Sequence, residues 1–220
     1  RSVNRGACNG AAEQWNSITA PTMILSGYLP RANRLGLLDG STLADSMPNE
    51  GDTINLKVNN PSHPIFAGIS LDVENTMVNP YAGKVSAEVF QGADDGPKLL
   101  TSILQTGISV NISASPVAGG TVLATVAGDT DPAAGGIIIA KWQGGATTGN
   151  GHLLGADRLA FLTGSRESGI TGNGAGIFDL TTDGQVMFLN AVDHLTVPEP
   201  SSLALIIPGL SLLVWRFRRK

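Results

Sequence analysis

An α/β layered domain with a mostly parallel sheet is the fold class this sequence predicts, on two observations. Strand-like segments alternate with helical ones along the chain, which favours helices layered on a sheet over two face-packed sheets. Several strand candidates are solid apolar runs, among them Gly136 to Trp142 (GIIIAKW) and Thr121 to Val126 (TVLATV). Continuous runs of this kind are the mark of strands covered on both faces at the centre of a parallel sheet.

Ala11 to Ile18 (AAEQWNSI) reads as a short helix stopped before Pro21, and Pro21 to Gly27 as a buried strand closed by glycine. Asn33 to Leu38 is a further short strand candidate. Ile54 to Val58 (INLKV) alternates with period two, as a half-exposed strand does. Lys84 to Phe90 and Arg158 to Leu162 join the two runs above as strands. Gly92 to Gly120 admits either an inserted hairpin or a long loop, and Gly172 to Gly176 reads as a loop. Thr181, Thr182 and Asp183 supply capping chemistry for a helix from Asp183 to Leu195, on which Phe188, Val192 and Leu195 form one apolar stripe. The parallel sheet is expected from Pro21 to Leu25, Thr121 to Val126, Ile137 to Ala140 and Leu159 to Leu162, under that helix.

The chain of 220 residues has room for one domain over residues 1–196 and a distinct tail over 197–220. A net charge of −4, with no basic run outside the tail, excludes a nucleic-acid partner, which needs clustered cations to neutralise phosphates. With 15% charged residues and 28 glycines, the composition suits an extracytoplasmic domain better than a cytosolic enzyme. Cys8 is the only cysteine, so no intrachain disulfide forms. His63, His152 and His194 show no ligand spacing, and neither a metal nor a cofactor is expected. Asp94-Asp95-Gly96 and Asp129-Thr130-Asp131 lack the full calcium loop and read as turns. Arg158, Arg166 and Glu167 flank a strand end, where open α/β sheets place their ligand crevices.

The tail carries the strongest signal. A stiff Pro198-Glu199-Pro200 triplet comes first. An uncharged apolar run from Leu203 to Trp215 succeeds it, in which Leu203, Leu205, Ile206, Ile207, Leu210, Leu212, Leu213, Val214 and Trp215 leave no polar face. Arg216, Arg218, Arg219 and Lys220 close the chain. As a helix the run spans about 20 Å against a hydrocarbon core of about 30 Å. Ser201, Ser202 and Phe217 lengthen it and the arginines snorkel, so a short, kinked transmembrane helix over about 202–217 is expected, with Pro208-Gly209 at the kink. The basic cluster over 216–220 places the C-terminus in the cytoplasm and the domain outside.

These three parts, in this order, resemble the PEP-CTERM sorting signal of Gram-negative, exopolysaccharide-producing bacteria. The resemblance implies an exosortase as partner and processing at or near Pro198 to Pro200. It implies contact with membrane lipid during transit through the inner membrane. Delivery to the cell surface or an extracellular matrix is the implied end point, with exopolysaccharide as a further partner. Export also needs a leader, yet Arg1 to Gly10 is polar with no apolar core. A signal peptide is therefore expected upstream, in a longer chain of which this is an N-terminally truncated piece beginning mid-domain. An exposed sheet edge or an incomplete helical layer near Arg1 is the structural expectation.

The body has its own, more diffuse resemblance. The segments QWNSITAPTMILSGYLPR, HPIFAGI, TVLATVAG, GGIIIAKW, RLAFLTGS and LTTDGQVMFLNAVDHL look like the flavodoxin-like core of ThuA-like and class I glutamine-amidotransferase-like domains. In that family a G-x-C-x-G elbow holds a nucleophilic cysteine, and Gly6-Ala7-Cys8-Asn9-Gly10 matches the pattern. The family's late His-x-Glu has no counterpart, since His194 sits between Asp193 and Leu195. Cys8 is thus a weak candidate nucleophile, and a non-catalytic ectodomain is the leading expectation. The alternative is an amidotransferase-like hydrolase or carbohydrate-active enzyme.

Overall fold

The computed structural model describes residues 10–46, 54–74, 76–81, 84–90, 99–105, 108–128, 132–163 and 180–196. Within them the chain runs α1 (Ala12–Asn16), β1 (Thr22–Ile24), β2 (Leu43–Ser46), β3 (Ile54–Val58), a 3-10 turn (Pro64–Phe66) and β4 (Thr76–Tyr81). It continues through β5 (Lys84–Phe90), β6 (Leu99–Gln105), β7 (Ile108–Asn111), β8 (Thr121–Val126), β9 (Ile137–Trp142) and β10 (Arg158–Phe161) to α2 (Thr182–Thr196).

The main sheet has the order β1-β10-β9-β8-β3-β4, with β7 beside β9 at Asn111 and Ile137, and β2 paired to β7. Only β1 and β10 are parallel, with Met23 opposite Leu159, and every other pairing among the described residues is antiparallel. The mostly parallel, flavodoxin-like sheet expected from the sequence is therefore overturned: this is an α/β domain with a mixed, mostly antiparallel sheet. The reason lies in the connections. Parallel neighbours need a crossover, usually a helix, whereas residues 143–157, which join β9 to β10, form no helix, and neither do the described residues between β8 and β9.

The apolar runs at β9 and β10 are nevertheless covered on both faces, as their composition predicts. β10 is buried at every position, and β9 at every position except Lys141. Double-sided burial makes a run continuous whatever the strand direction, so the run alone cannot tell parallel from antiparallel. The Asn33 to Leu38 strand is also corrected. There the chain turns, with the Pro30 carbonyl accepting from both Leu37 and Leu38, while Gly36 takes φ +68° against Asn150. Leu35, Leu37 and Leu38 enter the core from this turn. The Gly92 to Gly120 stretch contributes β6, which pairs antiparallel with β5, and β7, which joins the main sheet.

α2 packs on the 3-10 turn, β4 and β10. Thr181 Oγ1 accepts the Gly184 N–H at 3.2 Å, the cap expected at this end. The buried line is Gly184, Met187 and Ala191. Phe188 meets Phe161 edge-on at 5.6 Å. The expected stripe of Phe188, Val192 and Leu195 is only half-buried and lies beside that line. The buried line thus combines two small residues with Met187, and the larger aromatic and aliphatic side chains of the stripe lie on its flank.

Among the described residues no helix is long and apolar enough to cross a membrane. The transmembrane helix expected over about 202–217 thus has no counterpart among them, and that segment lies outside the described residues, as does the Pro198 to Pro200 linker. Arg1 to Asn9, where an exposed edge or incomplete layer was expected, lies outside them too.

Candidate functional site

Arg158, placed by the sequence at a ligand crevice, is 2% exposed and serves the fold. Its Nη2 donates to the carbonyls of Trp15 (3.2 Å), Asn16 (2.8 Å) and Ile18 (2.9 Å), and its Nη1 to those of Ala156 (2.8 Å) and Asp157 (3.1 Å). The last carbonyls of a helix lack intrahelical donors and carry partial negative charge. A planar cation with five N–H groups meets that need at the end of α1. Burial lowers its pKa, with Asp157 opposing the shift. Arg166 and Glu167 lie outside the described residues, as do Cys8, Asp94 to Gly96 and Asp129 to Asp131. Gly10, the last residue of the G-x-C-x-G pattern, has φ +81° just before α1.

The structure brings together two histidines that sequence spacing kept apart. His63 lies between Pro61 and Pro64 and caps the 3-10 turn, its Nδ1 accepting from Ile65 N–H at 3.3 Å. Its ring meets that of His194 on α2 edge-on, with centroids 4.6 Å apart. Asn190, one turn earlier on α2, donates to the carbonyls of Ile65 (3.1 Å) and Ala67 (3.0 Å) and fastens the helix to the same turn. No group of three His, Cys, Asp or Glu side chains suited to a metal occurs among the described residues. His152 is half-buried, with Nδ1 3.4 Å from Asn16 Nδ2, on a loop tied by hydrogen bonds between Thr148 and His152.

Burial, then Lys141, then His194 push the His63 pKa from its ordinary 6.5 down to about 4. The unfolded chain therefore binds more protons than the folded one between those two values. Stability is full above pH 6.5 and falls as the pH drops towards 4. The loss from this group is about 3 kcal/mol. Urea unfolding at pH 7.5 and pH 4.5 should show this, and His63→Asn, which keeps an acceptor for Ile65 N–H, should flatten the difference.

The sequence did not foresee an apolar groove between β1 and α2. It has a volume of about 590 Å³. Pro21, Met23 and Leu25 form one wall, and Phe188, Val192 and Leu195 the other. The half-buried stripe of α2 is this second wall. Thr196, the last residue of α2, also lines the groove.

Residues 196–220, continuing from that point, match the PEP-CTERM protein-sorting motif family. No curated protein matches the chain. No solved structure matches it either. The chain thus carries a PEP-CTERM sorting motif near its C-terminus. Its body is left without a match to a ThuA-like or amidotransferase-like domain, and the parallel sheet that resemblance implied is not the sheet observed.

Proposed function

We propose that this chain is an exosortase substrate, an exported protein delivered to the cell surface or extracellular matrix through its C-terminal signal, with an ectodomain that does not catalyse. The observation that carries the reading is the motif match over residues 196–220, starting at the last residue of the domain's final helix. Each part of the motif has a physical task. Proline fixes φ and disfavours helix before it, so Pro198-Glu199-Pro200 presents an extended substrate strand between the domain and the apolar segment. The Leu203 to Trp215 segment enters the bilayer, because it has no polar face to leave in water. Arg216, Arg218, Arg219 and Lys220 stay on the cytoplasmic side and hold the chain at fixed depth for the enzyme. Cleavage at or near Pro198 to Pro200 then frees the domain to be released or attached in the exopolysaccharide-rich exterior.

The test is expression in an exosortase-positive and an exosortase-null host, with fractionation and mass measurement of the C-terminus. Loss of the segment after the Pro-Glu-Pro triplet only in the positive host is expected. An intact C-terminus in both hosts would sink the reading.

A further inference from the structure

The groove between β1 and α2 leaves apolar surface in water at the point where the sorting motif begins. Its polar lining residue, Thr196, turns its hydroxyl to the helix, Oγ1 donating to the carbonyls of Val192 (3.0 Å) and Asp193 (3.3 Å). Leu25, on the opposite wall, is 41% exposed. The groove therefore presents side chains to an apolar occupant and offers little to a polar one. We propose that it cradles the Leu203–Ile207 end of the motif's apolar segment before that segment meets a bilayer, so that docking and membrane entry are alternative states.

Three observations select this occupant. The first is reach. Residues 197–202 separate the groove mouth from Leu203 and span at most about 20 Å when extended. The groove wall from Thr196 back to Phe188 rises only about 12 Å along α2, so the chain can double back into it. The second is chemistry: Leu203, Ala204, Leu205, Ile206 and Ile207 open the apolar run as five consecutive apolar residues before Pro208-Gly209. The third is tethering. The six residues 197–202 keep the segment beside its own groove, which favours that groove over the one on a second copy in dilute solution.

The inference rests on reading residues 203–215 as the apolar part of the sorting motif, and its test needs no exosortase. The full chain, purified without detergent, would carry Ile206→p-benzoylphenylalanine, and nitrogen-15-labelled chains would be mixed with unlabelled ones before irradiation. Cross-links within one isotope class to peptides containing Met23, Phe188 or Val192 are expected. Val192→Glu, which places a charge in the groove, should reduce them at least about fivefold. Ala20→Phe, at the exposed rim, should do the same by filling the space, and thermal melts would verify that both variants fold. Phosphatidylethanolamine–phosphatidylglycerol vesicles should move the cross-links to lipid. Cross-links only between isotope classes, only elsewhere in the chain, or absent would overturn the proposal, as would groove cross-links undiminished by the variants or by vesicles. An uncleaved C-terminus in the exosortase-positive host would remove the sorting reading while leaving this result intact.

Discussion

Arg158→Met is expected to destabilise the domain by about 3–5 kcal/mol, a loss at the upper end for a single polar substitution. The methionine fills much the same volume but supplies no donor. Five carbonyls then lose a donor together; those of Asn16 and Asp157 keep the Gly155 and Thr22 N–H groups, so the cost falls mainly on those of Trp15, Ile18 and Ala156. Each buried orphan costs about 1–3 kcal/mol, reduced where the relaxed structure admits water. A domain of this size loses about 2–4 °C in melting temperature per kcal/mol, so a drop of roughly 10 °C should register in a thermal melt monitored by circular dichroism. Arg158→Lys should fall between, because an ammonium reaches fewer of these carbonyls than a planar fork does. A loss below about 1 kcal/mol for the methionine variant would mean that the carbonyls find other donors.

Gly155→Ala should cost about 2–3 kcal/mol at the same junction, by a different cause. A Cβ at this position would stand 2.4 Å from the Ser17 carbonyl oxygen and 2.6 Å from that of Ile18. Both are backbone atoms and cannot swing aside as a side-chain end does. The Gly155 N–H also donates to the Asn16 carbonyl at 2.8 Å, so moving the loop away breaks a hydrogen bond as it relieves the clash. Denaturant melts should show a lower midpoint. Combined with Arg158→Met, the two losses should be less than additive, since both loosen α1 from the same loop. Full additivity would show that the two residues hold the junction independently.

The strands were legible where a local pattern is enough. β3, β5 and β8 run over the residues that alternation and apolar runs mark in the sequence, and β9 and β10 differ from expectation by one residue at an end. Their direction was not legible, because it depends on loop paths: the apolar pattern reports only which faces are covered. The turn at Pro30 to Leu38 was missed for a related reason. Leu35, Leu37 and Leu38 are buried without forming a strand, held by N–H bonds to the carbonyls of Leu29 (from Leu35) and Pro30 (from Leu37 and Leu38) and by the turn at Gly36. On α2 the helix was evident, but its buried line runs through Gly184, Met187 and Ala191, of which glycine and alanine carry too little apolar surface to mark a stripe by hydropathy. The His63 and His194 contact joins positions far apart in the chain, and no spacing rule covers such a pair. The sorting motif was readable because its three parts are linear and act in order, with no need of a fold to assemble them.

The manner in which α2 is attached has a mechanical consequence. A chain held by its C-terminus takes tension first at Thr196, and from there along α2. That helix has no sheet pairing and is kept in place by side-chain packing, by the two Asn190 hydrogen bonds and by the His63 and His194 contact. Such contacts yield one after another when a helix is peeled from its end, whereas the strands behind it share load across whole ladders. Under a pull from the C-terminal side, α2 is therefore expected to yield at its last turn before the strand ladders do.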